Sequence, residues 1–193
     1  MMSTIKNELK DHIDILQKTV AECSGTIDRL IELFIECFRA GHKVLLCGNG
    51  GSAADAQHVA GEFVNRFRFD RDPLPGFALS TDTSILTCIG NDSDFEFVFS
   101  RQVEALATAG DIVVGISTSG QSKNVLRAIE AARSRGATTV GVTGAKGKDS
   151  MGKVCDYCLA IPSADTPRVQ EVHEFFWHVL CGAVERELFA PAV

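Results

Sequence analysis

Apolar residues near the start of the chain recur in steps of three and four. Ile5, Leu9, Ile13, Leu16 and Val20 form one stripe, the spacing of an amphipathic helix. Cys23-Ser24-Gly25 predicts a break, after which Ile27, Leu30, Ile31, Phe34, Ile35 and Phe38 continue the pattern as a second helix ended by Gly41. The pattern then changes to short continuous apolar runs, which read as strands: Lys43–Cys47, Gly76–Ser80, Asp111–Ile116, Thr138–Thr143 and Tyr157–Ile161. Asp111–Ile116 is the clearest buried one, of the kind a parallel sheet requires. Ser52 reads as the N-cap of a helix running through Phe63. Further helices are predicted around Thr83 to Cys88, before a Gly90-Asn91-Asp92 turn, from Glu96 to Thr108, from Ser122 to Ser134 and from Arg168 to Leu188. A Gly- and Lys-rich loop follows the fourth strand, and Pro162 to Pro167 is a polar loop. Strands alternating with helices in this way predict an α/β fold, a three-layer α/β/α sandwich on a five-stranded parallel sheet, preceded by N-terminal helices. Two amphipathic helices carry more apolar surface than one small sheet needs, so part of it is expected to meet another subunit.

Composition narrows the function classes. The 193 residues hold 19 Lys and Arg against 25 Asp and Glu, a formal charge of -6, which speaks against a non-specific nucleic-acid surface. Length fits a single domain over 1–193, with 1–40 as a helical extension and 168–188 as the closing helix. No stretch approaches the roughly 20 apolar residues of a membrane span. Lys6, Glu8, Lys10 and Asp11 leave no room for a secretory apolar core, so a cytoplasmic location is expected. Seven cysteines, an odd number scattered among apolar neighbours, read as reduced, mostly packed thiols. Cys155 and Cys158 have C-x-x-C spacing, but no second pair lies nearby. In a strand, residues three apart face opposite ways, so they read as packed strand residues.

Candidate chemistry gathers where the strands end, which is where an open parallel sheet places its ligand. Cys47-Gly-Asn-Gly-Gly-Ser52 follows the first strand and opens a helix. Its glycines admit close backbone approach to an anion, although a tight strand-to-helix turn has the same look. It matches neither the dinucleotide fingerprint nor the Walker sequence. Gly115-Ile-Ser-Thr-Ser-Gly-Gln-Ser122 places the hydroxyls of Ser117, Thr118, Ser119 and Ser122 around the next helix start. Hydroxyls and amides without a lysine suit a phosphomonoester. His58 and Glu62 share a helical face, as do Gln170, Glu174 and His178, with Glu171 beside them. Such pairs ligate a divalent metal, serve as an acid–base pair, or form a solvated ion pair. His12 and His42 read as surface residues, and His173 fits either setting.

Taken together, these segments resemble the phosphoheptose isomerases of the sugar isomerase (SIS) domain superfamily. The resemblance spans essentially the whole chain. It rests on CGNGGSAADAQH at 47–58, TDTS at 81–84, IGND at 89–92, FSRQVEAL at 99–106, GISTSG at 115–120 and DTPRVQEVH at 165–173, together with Glu62 and His178. It implies a flavodoxin-like SIS domain that converts D-sedoheptulose 7-phosphate to D-glycero-D-manno-heptose 7-phosphate, the first step of bacterial heptose biosynthesis. By the same resemblance Glu62 is the base and His178 its acid–base partner. His58, Glu62, Gln170 and His178 are the zinc set, with one ion per subunit. Ser117, Thr118, Ser119 and Ser122 cradle the phosphate. Asn49, Gly50, Gly51, Asn91 and Asp92 line the sugar, and Ser52 assists from the glycine loop. The resemblance also implies a homotetramer with sites between subunits. Gln170 would be an unusual ligand, its amide oxygen being a weak neutral donor, so a substrate contact or structural hydrogen bond stays open for it. Two alternatives stand beside this reading: an isomerase for another sugar phosphate, and a non-catalytic sugar-phosphate-binding or regulatory SIS protein. Having both Glu62 and His178 weighs against the second. So do the 40 residues ahead of the sheet, which carry no basic recognition helix.

Overall fold

The structure, a computed structural model, describes residues 2–190. Residues 1 and 191–193 of the expected 1–193 domain lie outside that range. Five parallel strands, β1 (Val44–Gly48), β2 (Gly76–Ala78), β3 (Ile112–Ser117), β4 (Thr138–Gly144) and β5 (Tyr157–Ile161), make one sheet in the order β2-β1-β3-β4-β5. This is the doubly wound order in which the chain reverses direction between β1 and β3. Val44 pairs with Ile112 and Gly48 with Ile116, while Ser117 pairs with Thr143 of β4. The register therefore brings the ends of β1, β3 and β4 out together.

Seven helices cover the two faces: α1 (Met2–Arg39), α2 (Gly51–Val64), α3 (Thr83–Asp92), α4 (Ser100–Leu106), α5 (Lys123–Ser134), α6 (Lys148–Val154) and α7 (Thr166–Phe189). Strand side chains alternate between them. Val44, Leu46, Val114 and Val140 pack under α1, α2 and α7, where Leu30, Phe34, Phe63, Phe176 and Trp177 are wholly or almost wholly buried. Leu45, Cys47 and Val113 point the other way, against Val103 of α4, Val125 and Ala128 of α5 and Met151 of α6. Both faces of the sheet are dry, as a parallel sheet demands.

Several local expectations are corrected. The break at Cys23-Ser24-Gly25 does not occur: α1 is one helix of 38 residues. Glycine inside a helix costs only about 1 kcal/mol, and burial of Cys23, Ile27 and Leu30 on either side of Gly25 offsets that. The turn at Gly90-Asn91-Asp92 is the last turn of α3, which starts where Asp82 accepts the Ile85 N–H at 2.9 Å. The helix expected from Glu96 to Thr108 divides into a 3-10 turn at Phe95–Phe97 and α4. Within the loop after β4, Lys148–Val154 is helical because Met151 fills the core beneath it. Cys155 caps the end of α6, so only Cys158 is a strand residue. All seven cysteines are free, and burial pushes the thiols of Cys155 and Cys158 up to about 12 and about 11. Thiols so far from ionising at neutral pH are poor nucleophiles. No helix among the described residues is long and apolar enough to cross a membrane.

On the outer surface of α1, Ile5, Leu9, Ile13 and Val20 are exposed, the spare apolar stripe expected from the sequence. His12 is not an isolated surface residue, since its Nδ1 lies 2.7 Å from Glu171 of α7. His173 is fully buried with Nε2 3.3 Å from the Thr143 carbonyl, and burial pushes its imidazole down to about 4. It is a neutral structural histidine.

Candidate active site

At the β1/β3 reversal the two loops are tied together by a reciprocal amide pair. Asn49 donates to Asn124 Oδ1 and Asn124 donates to Asn49 Oδ1, both at 2.9 Å. The side chain expected to line the sugar thus already spans the crevice between the loops. Gly50 is the residue before α2 and takes φ +56°, left-handed backbone that favours glycine. Ser52 is not the N-cap. It lies one residue inside the helix and is buried. A Cβ on Gly51 would collide with the Gln170 amide of α7, so the glycine there lets α7 lie against the turn.

The serine loop after β3 is folded as a nest. Ser117 Oγ is 3.1 Å from Ser122 Oγ and accepts the Gly120 N–H at 3.1 Å. Ser119 Oγ accepts the Gln121 N–H at 3.3 Å. Thr143 donates to the Ser117 carbonyl at 2.6 Å and Gly144 to that of Thr118 at 3.1 Å, fastening the loop to the end of β4. Ser122 precedes α5 without a side-chain capping bond, so its hydroxyl is available to a ligand along with the N-terminal amides of that helix. The adjacent Lys123 turns away to Glu96 at 2.6 Å. This chemistry suits a phosphate monoester held by neutral donors.

Helices α2 and α7 converge beside the glycine turn. His58 Nε2 lies 3.0 Å from His178 Nε2 and 3.1 Å from Glu174 Oε1, with His178 Nε2 3.3 Å from the same oxygen. Glu62 Oε1 is 3.6 Å from His58 Nε2. Sequence spacing pointed to His58, Glu62 and His178, and the fold brings them together. It adds Glu174, whose place on the His178 face was visible but whose contact with His58 depends on how the two helices cross. Zinc–nitrogen bonds of about 2.05 Å in a tetrahedron set ligand atoms about 3.3 Å apart, close to the spacings among these three groups. The set of His58, Glu174 and His178, two imidazoles and one carboxylate, fits zinc. Gln170 sits instead over the glycine turn.

Asp55, one turn before His58, is a further group that spacing alone did not single out. Its Oδ2 is buried without a hydrogen-bond partner. Burial, helped by the negative Glu174, raises its carboxyl to about 6, against the opposing pull of His58. Asn91 and Asp92 lie on the exposed end of α3, hydrogen bonded to each other at 2.8 Å, with no hydrogen bond or ion pair to the α2–α7 cluster among the described residues. Helix α3 itself has no buried residue.

Comparison with known proteins agrees with this geometry. The SIS domain family matches residues 9–144. A phosphoheptose isomerase of Trichlorobacter lovleyi is 57% identical over 189 residues, 98% of this chain and 96% of its own. Among solved structures, the phosphoheptose isomerase of Neisseria gonorrhoeae superposes with a TM-score of 0.89 at 39% identity, over 95% of this chain and 98% of that one. That of Francisella tularensis superposes with 0.91 at 32% identity, over 96% and 98%.

Proposed function

The chain belongs to the phosphoheptose isomerase family of SIS-domain enzymes, and from that premise we propose that it converts D-sedoheptulose 7-phosphate to D-glycero-D-manno-heptose 7-phosphate. The observation that carries the reading is the pairing, at one sheet reversal, of a phosphate nest with a carboxylate–imidazole cluster. A seven-carbon sugar phosphate presents its reacting C1 and C2 far from its phosphate. Binding at Ser119 and Ser122 would then anchor one end while the other is oriented.

In this reading Glu62 takes the proton from the carbon next to the ketose carbonyl and returns it to C2 of an enediol. His178 moves protons between the substrate oxygens. Asn49, Gly50 and Gly51 border the chain of the sugar, and Ser52 supports the turn from its buried position. Asn91 and Asp92 reach substrate only if α3 meets a site across a subunit boundary. That requirement, with the exposed apolar stripe of α1, supports a homotetramer. Sedimentation showing a fully active single chain at assay concentration would refute it.

Zinc, when bound, would polarise the carbonyl and stabilise negative charge on its oxygen. His58 and His178 hold it in every version of the site. Glu174 competes with Glu62 and Gln170 for the remaining positions. Loss of zinc affinity in Glu174→Gln assigns the first arrangement, and loss in Gln170→Ala with Glu174→Gln unaffected assigns the second.

The function itself is tested by adding sedoheptulose 7-phosphate to metal-analysed protein and following the aldose by NMR. Steady appearance of the heptose 7-phosphate is expected. Absence of conversion with intact phosphate binding would favour a binding or regulatory role. Turnover only of a different ketose phosphate would reassign the substrate. Such work in soluble extract, with fractionation, also tests the expected cytoplasmic location.

A further inference from the structure

We propose that Phe67 is a positioning residue for the His178 imidazole, held against it by a buried clamp between Arg71 and Glu185. The inference rests on the reading above only in making His178 part of the reacting site.

Residues 65–75, between α2 and β2, form no helix or strand, yet the segment is fixed at both ends. Glu185, almost fully buried on α7, accepts the backbone N–H groups of Phe67 and Arg68, each at 2.8 Å. The Arg71 side chain, 2% exposed, donates to the carbonyls of Glu62 and Phe63 at 2.6 Å each and to that of Asp72 at 2.9 Å. Its Nε lies 3.4 Å from Glu185 Oε1. A cation therefore closes the last turn of α2, where helix carbonyls lack partners, and an anion closes the loop. The two neutralise each other between them. Packing alone does not explain such a pair, since buried ion pairs are commonly matched in stability by apolar groups of similar volume.

The clamp delivers one aromatic ring. Phe67 stacks on His178 with centroids 5.6 Å apart and planes 27° apart. Gly182, one turn beyond His178, makes room for it: a Cβ there would lie 3.1 Å from Phe67 Cε1. Histidines at metal and acid–base sites usually have their ring plane set by a hydrogen bond to the second nitrogen. Among the described residues the polar contacts of His178 run through Nε2 alone. The stacked ring takes over that orienting role. Because Arg71 also grips the Glu62 carbonyl, the same clamp sets the spacing between the base and its partner.

Phe67→Leu keeps apolar bulk and removes the flat face. It is expected to lower kcat about 10- to 100-fold, as loss of an outer support typically does, with KM within about twofold and normal folding. Phe67→Tyr restores the rate. In protein carrying 13C-labelled histidine, the His178 ring protons lose the upfield shift from the Phe67 ring in Phe67→Leu and in any folded Glu185→Gln. A Phe67→Leu enzyme with wild-type kcat overturns the proposal. So does one whose His178 ring resonances do not move, and this second measurement stands even if sedoheptulose 7-phosphate proves not to be the substrate. Wild-type protein inactive on that sugar counts against the function reading alone.

Discussion

Glu62→Gln is expected to reduce kcat by roughly 10²–10⁴, the range over which general-base removal acts, while leaving the fold intact. Glutamine keeps the size and most hydrogen bonding of the half-buried carboxylate but does not accept the proton. The root of the side chain stays where it is, because the Glu62 carbonyl remains bound to Arg71 at 2.6 Å. The carboxylate lies 3.6 Å from His58 Nε2, so a fall in rate also follows if Glu62 binds metal. Two observables separate the cases. Solvent deuterium entering C2 of the product will decline in parallel with turnover if Glu62 carries the proton. Zinc content will decline instead if Glu62 is a ligand. Near-wild-type kcat in this variant would remove Glu62 from the mechanism.

Much of the fold was legible because parallel strands announce themselves as apolar runs. The five expected strands match the observed ones to within two residues at their ends. The errors share a cause. Gly25, Gly90 and the glycines near Lys148 are local signals for breaks, yet each lies in a segment that tertiary packing or a cap carries through as helix. Local propensity amounts to about 1 kcal/mol per residue, and burial of one large apolar side chain outweighs it. Ser52 erred for a related reason: Gly50, free to take a positive φ, makes the turn one residue earlier and the helix starts at Gly51.

Within the site, spacing showed which side chains share a helix face but not how faces from distant elements meet. His58 and Glu174 are 3.1 Å apart only because α2 and α7 cross at that point. Asp55 was beyond sequence reading for the same reason, since what distinguishes it is burial beside Glu174 rather than its position in any pattern. The Asn49–Asn124 pair joins residues 75 apart in the chain. Conversely, the serine loop was readable in full, because a phosphate nest is built from contiguous residues and a single helix start.

That loop carries the second large effect expected. Replacing Ser119 and Ser122 together by Ala should weaken binding of inorganic phosphate and raise KM on the order of 10²-fold, since each hydrogen bond to a charged group contributes about 1.5–3 kcal/mol. Stability should change little, because Ser119 is exposed and Ser122 makes no capping bond. Gly120→Ala is expected to do both kinds of damage. Gly120 has φ +66°, a conformation that costs an L side chain roughly 1–2 kcal/mol. A Cβ there would also overlap Gly147 Cα and come within 2.7 Å of Ser150 Oγ, which donates to the Gly120 carbonyl at 2.8 Å. The first obstacle is backbone, so it yields only by displacing the turn after β4, and the serine loop is fastened to that turn through Thr143 and Gly144. The variant should therefore melt several degrees lower and lose phosphate affinity beyond the serine double variant. Calorimetric titration with inorganic phosphate, beside thermal melts, measures both quantities. A double serine variant that keeps wild-type phosphate affinity would place the anion elsewhere. A Gly120→Ala protein that melts and binds normally would mean that the serine loop and the β4 turn are not locked together as their contacts indicate.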